Sequence, residues 1–403
     1  MPVLRNIAQL ATCPAGNPQD DAGLIANAAI AWSGDTINWV GAAEHIPSEF
    51  QSEPVIDCER KLVIPGLIDC HTHLCFGGWR GDEFEQRLQG ATYQQIAAAG
   101  GGISSTVSAT RAASTGSLRR KAAAVLDGML ELGVTTVECK SGYGLDMANE
   151  LKQLEVYRRL NKDHQVDLAS TFLGAHIVPS EFQKDRTRYI RLLCDELIPL
   201  VVREGLAEFC DAFVEQGAYS IEEARQIFTA ATSHGLKIKV HADQLSDGNG
   251  ALLAAEMGAV SAEHLEYINP EGISALAKSG TVAVSLPLAS LYLGEPYMPA
   301  RDLLSSGVPV AVATDFNPGS APSYHLPLAM TLACLNQQMT PQEALNGATT
   351  VAARAIAADD RIGTLLPGYQ ADLAIIDAPT LNQWLYHFVP NACIRVLKRG
   401  HWI

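Results

Sequence analysis

The sequence predicts an α/β protein: a (β/α)8 barrel of the TIM type with a small β-sandwich domain built from both chain termini. Three observations carry this. Eight short apolar runs alternate with amphipathic segments through the middle of the chain, the pattern of βα units around a parallel sheet. Both ends of the chain show strand-and-turn patterning without helical periodicity. The length of 403 residues is that of one barrel plus a small companion. The division expected is residues 1–63 with 356–403 for the composite β domain, and 64–355 for the barrel.

Taken in order, "AAIAWSGDTINWVG" reads as two strands joined by a hairpin turn at Ser33-Gly34-Asp35. The barrel runs are "LVIPGLIDCHTHL", "VTTVECKSGYG", "VDLASTFLGAH", "LAEFCDAFVE", "LKIKVHAD", "AVSAEHLEY", "GTVAVSLPL" and "VPVAVATDF". Between them, "SIEEARQIFTAATSHG" has Ser220 at the N-cap, Glu223 at the capping-box position, an apolar face of Ile221, Ala224, Ile227, Phe228 and Ala231, and Gly235 at the stop. "NPEGISALAKSG" and "TPQEALNGATTVAARAIA" each open with a capping residue followed by Pro at the first helical position. Near the end, "GTLLPGYQADLAIID" and "NACIRVLKRGHWI" read as strand pairs. Gly100-Gly101-Gly102 lacks the Lys-Ser/Thr of a phosphate loop and reads as a mobile loop.

Composition narrows the function classes. With 47% hydrophobic and 18% charged residues the chain can fill a large core, and a net charge of −15 excludes a phosphate-neutralising nucleic-acid surface. That acidity leaves room for a small anionic substrate held by a local arginine. Nine cysteines, scattered without a C-x-x-C pair, read as reduced thiols. No apolar window is long enough to cross a bilayer, so the expectation is a soluble, cytoplasmic protein with no membrane partner.

In a barrel the active site lies at the C-terminal ends of the strands. The first run ends in His71 and His73, the fifth in His241, the sixth in His264 and the eighth in Asp315. His71 and His73, two apart on a strand, leave the same face and can grip one ion. Closure of the barrel brings the eighth strand, and with it Asp315, beside the first. Histidines with a carboxylate suit zinc or ferrous iron. Each histidine alone is far more often a hydrogen-bonded strand-end residue than a ligand; the shared placement is what points to a site.

These motifs resemble the amidohydrolase superfamily over essentially the whole chain: "PGLIDCHTHL", the histidines after the fifth and sixth runs, "ATDFNPGS" and "PGYQADLAIID". A narrower resemblance, to the branch that opens an imidazolone ring in histidine degradation, rests on "HTHLCFGGWRGDEFEQRLQGATYQQIAAAGGGISSTV", "ECKSGYGL", "FLGAH", "KVHADQ" and "TDFNPGS". The resemblance implies His71, His73, His241 and Asp315 as metal ligands, with Arg80, Tyr143, His176, Gln244, Asn317, Gly319 and Ser320 at the substrate. It implies hydrolysis of 4-imidazolone-5-propanoate to N-formimino-L-glutamate with one divalent metal ion, zinc or iron, no organic cofactor, and a homodimer.

The residues bear on that implication one by one. The fourth run holds no lysine that could bridge two metals, so the site is expected to be mononuclear. Lys140, on the second run, reads either as a buried-rim lysine paired with an acid such as Glu138 or Asp146 or as a contact to substrate. Asp315 is expected to take a proton from water and deliver it to the leaving nitrogen, and His264 to polarise the carbonyl. Arg80 reads either as a surface ion pair with Asp82 or Glu83 or as a bidentate clamp for a substrate carboxylate. Asn317-Pro-Gly319-Ser320 is suited to a small polar ligand and is equally good turn chemistry. Gln244 stands where mononuclear deaminases of the superfamily carry a proton-handling Glu, and an amide cannot do that work. The alternatives are a deaminase or a hydantoin-type hydrolase.

Overall fold

All eight apolar runs form parallel strands in a computed structural model that describes residues 2–91, 95–96 and 100–403. The terminal strands are β1 (Val3–Ala11), β2 (Leu24–Ser33), β3 (Thr36–Ala42), β4 (Val55–Asp57) and β5 (Leu62–Pro65). The barrel follows with β6 (Leu67–Thr72), β7 (Val134–Lys140), β8 (Asp167–Ala175), β9 (Phe209–Val214), β10 (Lys237–Ala242), β11 (Ser261–His264), β12 (Val282–Ser285) and β13 (Val310–Val312). The chain ends with β14 (Leu373–Ile376), β15 (Cys393–Lys398) and β16 (His401–Trp402).

The barrel strands lie in chain order from β6 to β13. Covered by helices outside and side chains inside, they are buried on both faces, which is why they read as continuous apolar runs. Closure is made just beyond β13: the amide of His73 donates to Phe316 O at 2.8 Å, and that of Asp315 to His71 O at 3.1 Å. Polar residues two apart, such as Glu138 and Lys140 or Lys239 and His241, are completely or almost completely buried in the barrel.

The terminal sheet runs β16-β15-β14-β5-β1-β2-β3, with β4 beside β1. It has its own apolar cluster, including Leu4, Ile7, Trp32, Val63, Leu373 and Leu397. Gly66 alone separates β5 from β6, and a β-carbon there would overlap the Thr135 side chain. Lys398 on β15 ties this sheet to the base of β8, with Nζ 2.6 Å from Asp372 and 2.8 Å from Asp167.

The expected hairpin forms at Gly34, whose φ of +56° needs a residue without Cβ strain. Capping boxes occur at Ser220–Glu223 and at Thr340–Glu343, and Asn269 caps the helix that begins with Pro270. The segment after Thr340 is two helices, Pro341–Gly347 and Thr350–Ala355, where the sequence suggests one. Gly347 packs against the strand edge there, and a β-carbon would stand 3.0 Å from Val310 O. In the closing segment only Leu373–Ile376 of "GTLLPGYQADLAIID" is a strand, and it pairs with Cys393–Lys398. Gly101 and Gly102 lead directly into the helix Ile103–Ala112, and the Gly102 amide donates to Glu83 Oε1 at 2.8 Å. All nine cysteines are free, and among the described residues no helix is long and apolar enough to cross a membrane.

Candidate metal-dependent active site

The ends of β6, β10 and β11 and the turn after β13 bring His71, His73, His241, His264 and Asp315 to one buried point. Nε2 of His71 and of His73 lie 3.3 and 3.5 Å from Asp315 Oδ1, and Nε2 of His241 lies 3.4 Å from Nε2 of His73. Ligand atoms around a tetrahedral ion with bonds of 2.0–2.2 Å stand about 3.3–3.6 Å apart. Of the three Nε2 atoms, that of His71 is buried without a hydrogen-bond partner, whereas Nδ1 of His71 and of His241 face Glu263 and Asp211 on the other side. Orphaned buried nitrogens are costly unless something takes their lone pairs. The donor set therefore fits a metal ion.

Backbone and charge around the cluster agree. His264 and Asp315 hold φ of +77° and +55°, a conformation costing on the order of 1–3 kcal/mol for a residue with a side chain. Burial pushes His73 down to about 4 and His241 down to about 3, leaving neutral imidazoles. Burial opposes ionisation of Asp315, but His71 and His73 beside it hold its carboxyl well below the usual range.

Beneath the ligands lies a charged layer within the barrel. Asp211 Oδ2 is 2.9 Å from His241 Nδ1, and Glu263 Oε2 is 3.4 Å from His71 Nδ1. Lys140 Nζ meets Asp211 at 2.8 Å, Glu138 at 2.9 Å and Glu263 at 3.4 Å, while Lys239 Nζ meets Glu263 at 2.9 Å. Burial works against the Lys140 charge, but the three carboxylates outweigh it and hold the ammonium well above the usual lysine range. Lys140 and Lys239 lie among Glu138, Asp211 and Glu263, and with Asp69 and Asp315 also buried nearby the carboxyl groups outnumber the lysines, an excess that a divalent cation would offset. Of the two acids the sequence offers Lys140, Glu138 is a partner; Asp146 instead caps the helix Met147–Asp163 and pairs with Arg111.

Above the cluster opens a cavity of about 760 Å³, lined by His73, Arg80, Tyr143, His176, Gln244, His264, Asp315, Asn317 and Ser320 among others. Arg80 is largely buried and pairs with neither Asp82 nor Glu83; its Nε donates to Thr106 Oγ1 at 2.8 Å. Among the described residues no carboxylate lies within ion-pairing distance of its guanidinium. His176 stacks on His73 with ring centres 5.2 Å apart, and Nδ1 lies 3.0 Å from Gly142 O. Burial holds His176 well below its ordinary value, so Nδ1–H donates to that carbonyl and Nε2 is an acceptor. Tyr143 packs against both rings.

Asn317 is engaged in its own turn: Nδ2 donates to Asp315 O and Ser320 Oγ, and Oδ1 accepts from the amides of Gly319 and Ser320. Ser320 Oγ also lies 3.4 Å from Asp315 Oδ2. Gly319 lies against Arg80 on the wall, outside the cavity lining itself. Phe76 and Trp79 form an aromatic wedge with Phe316, and Lys121 Nζ sits 3.5 Å from the centre of the Phe76 ring. Sequence reasoning did not single out Asp211, Glu263, Lys239 or Thr106. The available signal was a polar residue two places from another inside an apolar strand.

A buried histidine–aspartate cluster that fits a cation, at the C-terminal mouth of a (β/α)8 barrel, is the arrangement expected of a metal-dependent barrel enzyme. Comparison with known proteins agrees: the amidohydrolase family model matches residues 62–403, and the chain belongs to that family. The chain aligns over its full length with atrazine chlorohydrolase from Arthrobacter aurescens TC1 complexed with zinc (TM-score 0.74, 17% identity, 95% of that chain). Guanine deaminase from E. coli gives a TM-score of 0.72 at 15% identity, covering all of this chain and 99% of the other; at such identities the likeness is one of fold. Imidazolonepropionase from Treponema denticola is 50% identical over 351 residues, 87% of this chain and 85% of the relative. The one from Geobacillus kaustophilus is 47% identical over 94% of this chain and 91% of the relative, which places the chain among the imidazolonepropionases of the family.

Proposed function

We propose that the chain hydrolyses the ring C–N bond of 4-imidazolone-5-propanoate to give N-formimino-L-glutamate, in histidine degradation. The observation that carries this is the pairing, in one cavity, of the histidine–aspartate cluster with a buried arginine that has no carboxylate partner among the described residues. His71, His73, His241 and Asp315 would hold one divalent ion, zinc or iron, which when bound acidifies water toward neutral pH and polarises a carbonyl.

The chain's own groups do the rest. Arg80 binds the propanoate through the guanidinium nitrogens left free by Thr106. His176 accepts a hydrogen bond from a ring N–H through Nε2, and Tyr143 packs against the ring edge. Gln244 offers a neutral amide to the ring. Asp315 takes a proton from the attacking water as the new C–O bond forms at the ring carbonyl carbon. It delivers that proton to the ring nitrogen as the C–N bond breaks, leaving a carboxylate and an amidine. His264 donates to the carbonyl oxygen as negative charge collects there.

The domain reading goes with this, residues 1–63 with 356–403 as one unit and 64–355 as the catalytic barrel, with the correction that β5 carries the terminal sheet to Pro65 and Gly66 is the joint. The active protein is read as a homodimer in the cytoplasm, for which sedimentation and cell fractionation are the checks. To test the function, metal-analysed protein is incubated with imidazolonepropanoate while ring absorbance and formiminoglutamate are followed. Metal-loaded protein that leaves the ring intact would sink the assignment.

A further inference from the structure

The Lys140 ammonium stands among carboxylates from three strands, all completely buried: Glu138 of β7, Asp211 of β9 and Glu263 of β11. Two of these reach the histidine cluster from behind. Asp211 Oδ2 and Glu263 Oε2 lie 2.9 and 3.8 Å from His241 Nδ1. Ligand atoms of Asp211, His241 and Glu263 all lie within 4.8 Å of one another, a convergence of donors of the kind a metal ion takes. His241 Nδ1 is turned to this layer and faces Asp211, while its Nε2 faces His73.

We propose that Lys140 is a built-in second cation: its ammonium occupies the place between Glu138, Asp211 and Glu263 that a second metal ion would otherwise take, and so limits the centre to one ion. This rests on reading His71, His73, His241 and Asp315 as a metal centre, and extends it to what sets the stoichiometry. A tethered ammonium does not exchange with solvent ions. It also satisfies carboxylates that would otherwise be left as unpaired buried charges. Without it, three converging carboxylates form an oxygen-rich divalent site.

The test compares wild type with Lys140→Ala, each dialysed against excess Zn²⁺ or Mn²⁺, desalted and assayed for metal per chain. The wild type is expected to carry one ion and Lys140→Ala two, with added metal producing a second rise in melting temperature in the variant alone. Lys140→Arg keeps a cation in place and stays at one. A folded Lys140→Ala protein with one ion overturns the inference, as does a wild type with two. If Lys140→Ala does not fold, Lys140→Ser leaves the same space and keeps a hydrogen-bond donor, and is judged by the same count. A wild type that binds no ion would instead refute the metal-centre reading underneath.

Discussion

Arg80 lies so close to Gly319 that a β-carbon on the glycine would overlap the guanidinium Nη1. The turn after β13, which also carries Asp315, therefore fixes one edge of the arginine, while Thr106 fixes Nε from the helix Ile103–Ala112. Arg80, the proposed carboxylate clamp, and Asp315 of the histidine–aspartate cluster are set by the same turn.

Substitutions around Arg80 should separate binding from metal retention. A charge-assisted hydrogen bond contributes roughly 1.5–3 kcal/mol, so Arg80→Met should raise KM about 10- to 150-fold with metal content unchanged. Gly319→Ala should raise it about tenfold by displacing the guanidinium, and Thr106→Val a few-fold. Steady-state kinetics with metal analysis checks all three; an unchanged KM in Gly319→Ala would show that the contact does not position the arginine.

Asp211 backs His241 from within the barrel. Replacing it with Asn keeps the volume and removes the charge facing Nδ1, so metal affinity should fall about 10- to 100-fold. Competition with a chromogenic chelator measures this directly, and wild-type affinity in Asp211→Asn would remove the carboxylate from the metal site's support.

Metal removal should cost stability as well as activity. With the cation gone, the buried carboxyl groups outnumber the two lysines and Nε2 of His71 stays without a partner. Chelation should abolish turnover and lower the melting temperature by at least about 5 °C, with both restored by added Zn²⁺ or Fe²⁺. Calorimetry of apo and reloaded protein decides it: equal melting temperatures would contradict the charge argument.

Lys398 is buried between Asp372 of the terminal sheet segment and Asp167 at the base of β8. Lys398→Met leaves the buried Asp372 without its cation, while Asp167 keeps Arg399, and should destabilise the protein by roughly 3 kcal/mol, while KM of the remaining folded enzyme stays at the wild-type value. Urea unfolding measures the loss; a change below about 1 kcal/mol would mean the two sheets are held together without it.

The sequence by itself determined the barrel and the floor of its site. Apolar runs are local, and a histidine or aspartate at the end of a strand is visible wherever barrel topology says strand ends converge; Ser220 and Thr340 announced their helices through contacts three residues long. What only the tertiary structure decided are contacts between residues far apart in the chain. Lys140 meets Asp211 and Glu263 rather than Asp146, because β7, β9 and β11 point their side chains into one interior. Arg80 finds Thr106 and Gly319 rather than its neighbours Asp82 and Glu83, because its chain enters the cavity wall instead of the surface. Asn317, a candidate substrate contact by its type, has its amide engaged by its own turn. Strand periodicity states which face a side chain leaves by; which charge it meets there depends on strands tens to hundreds of residues away, and so on closure of the barrel.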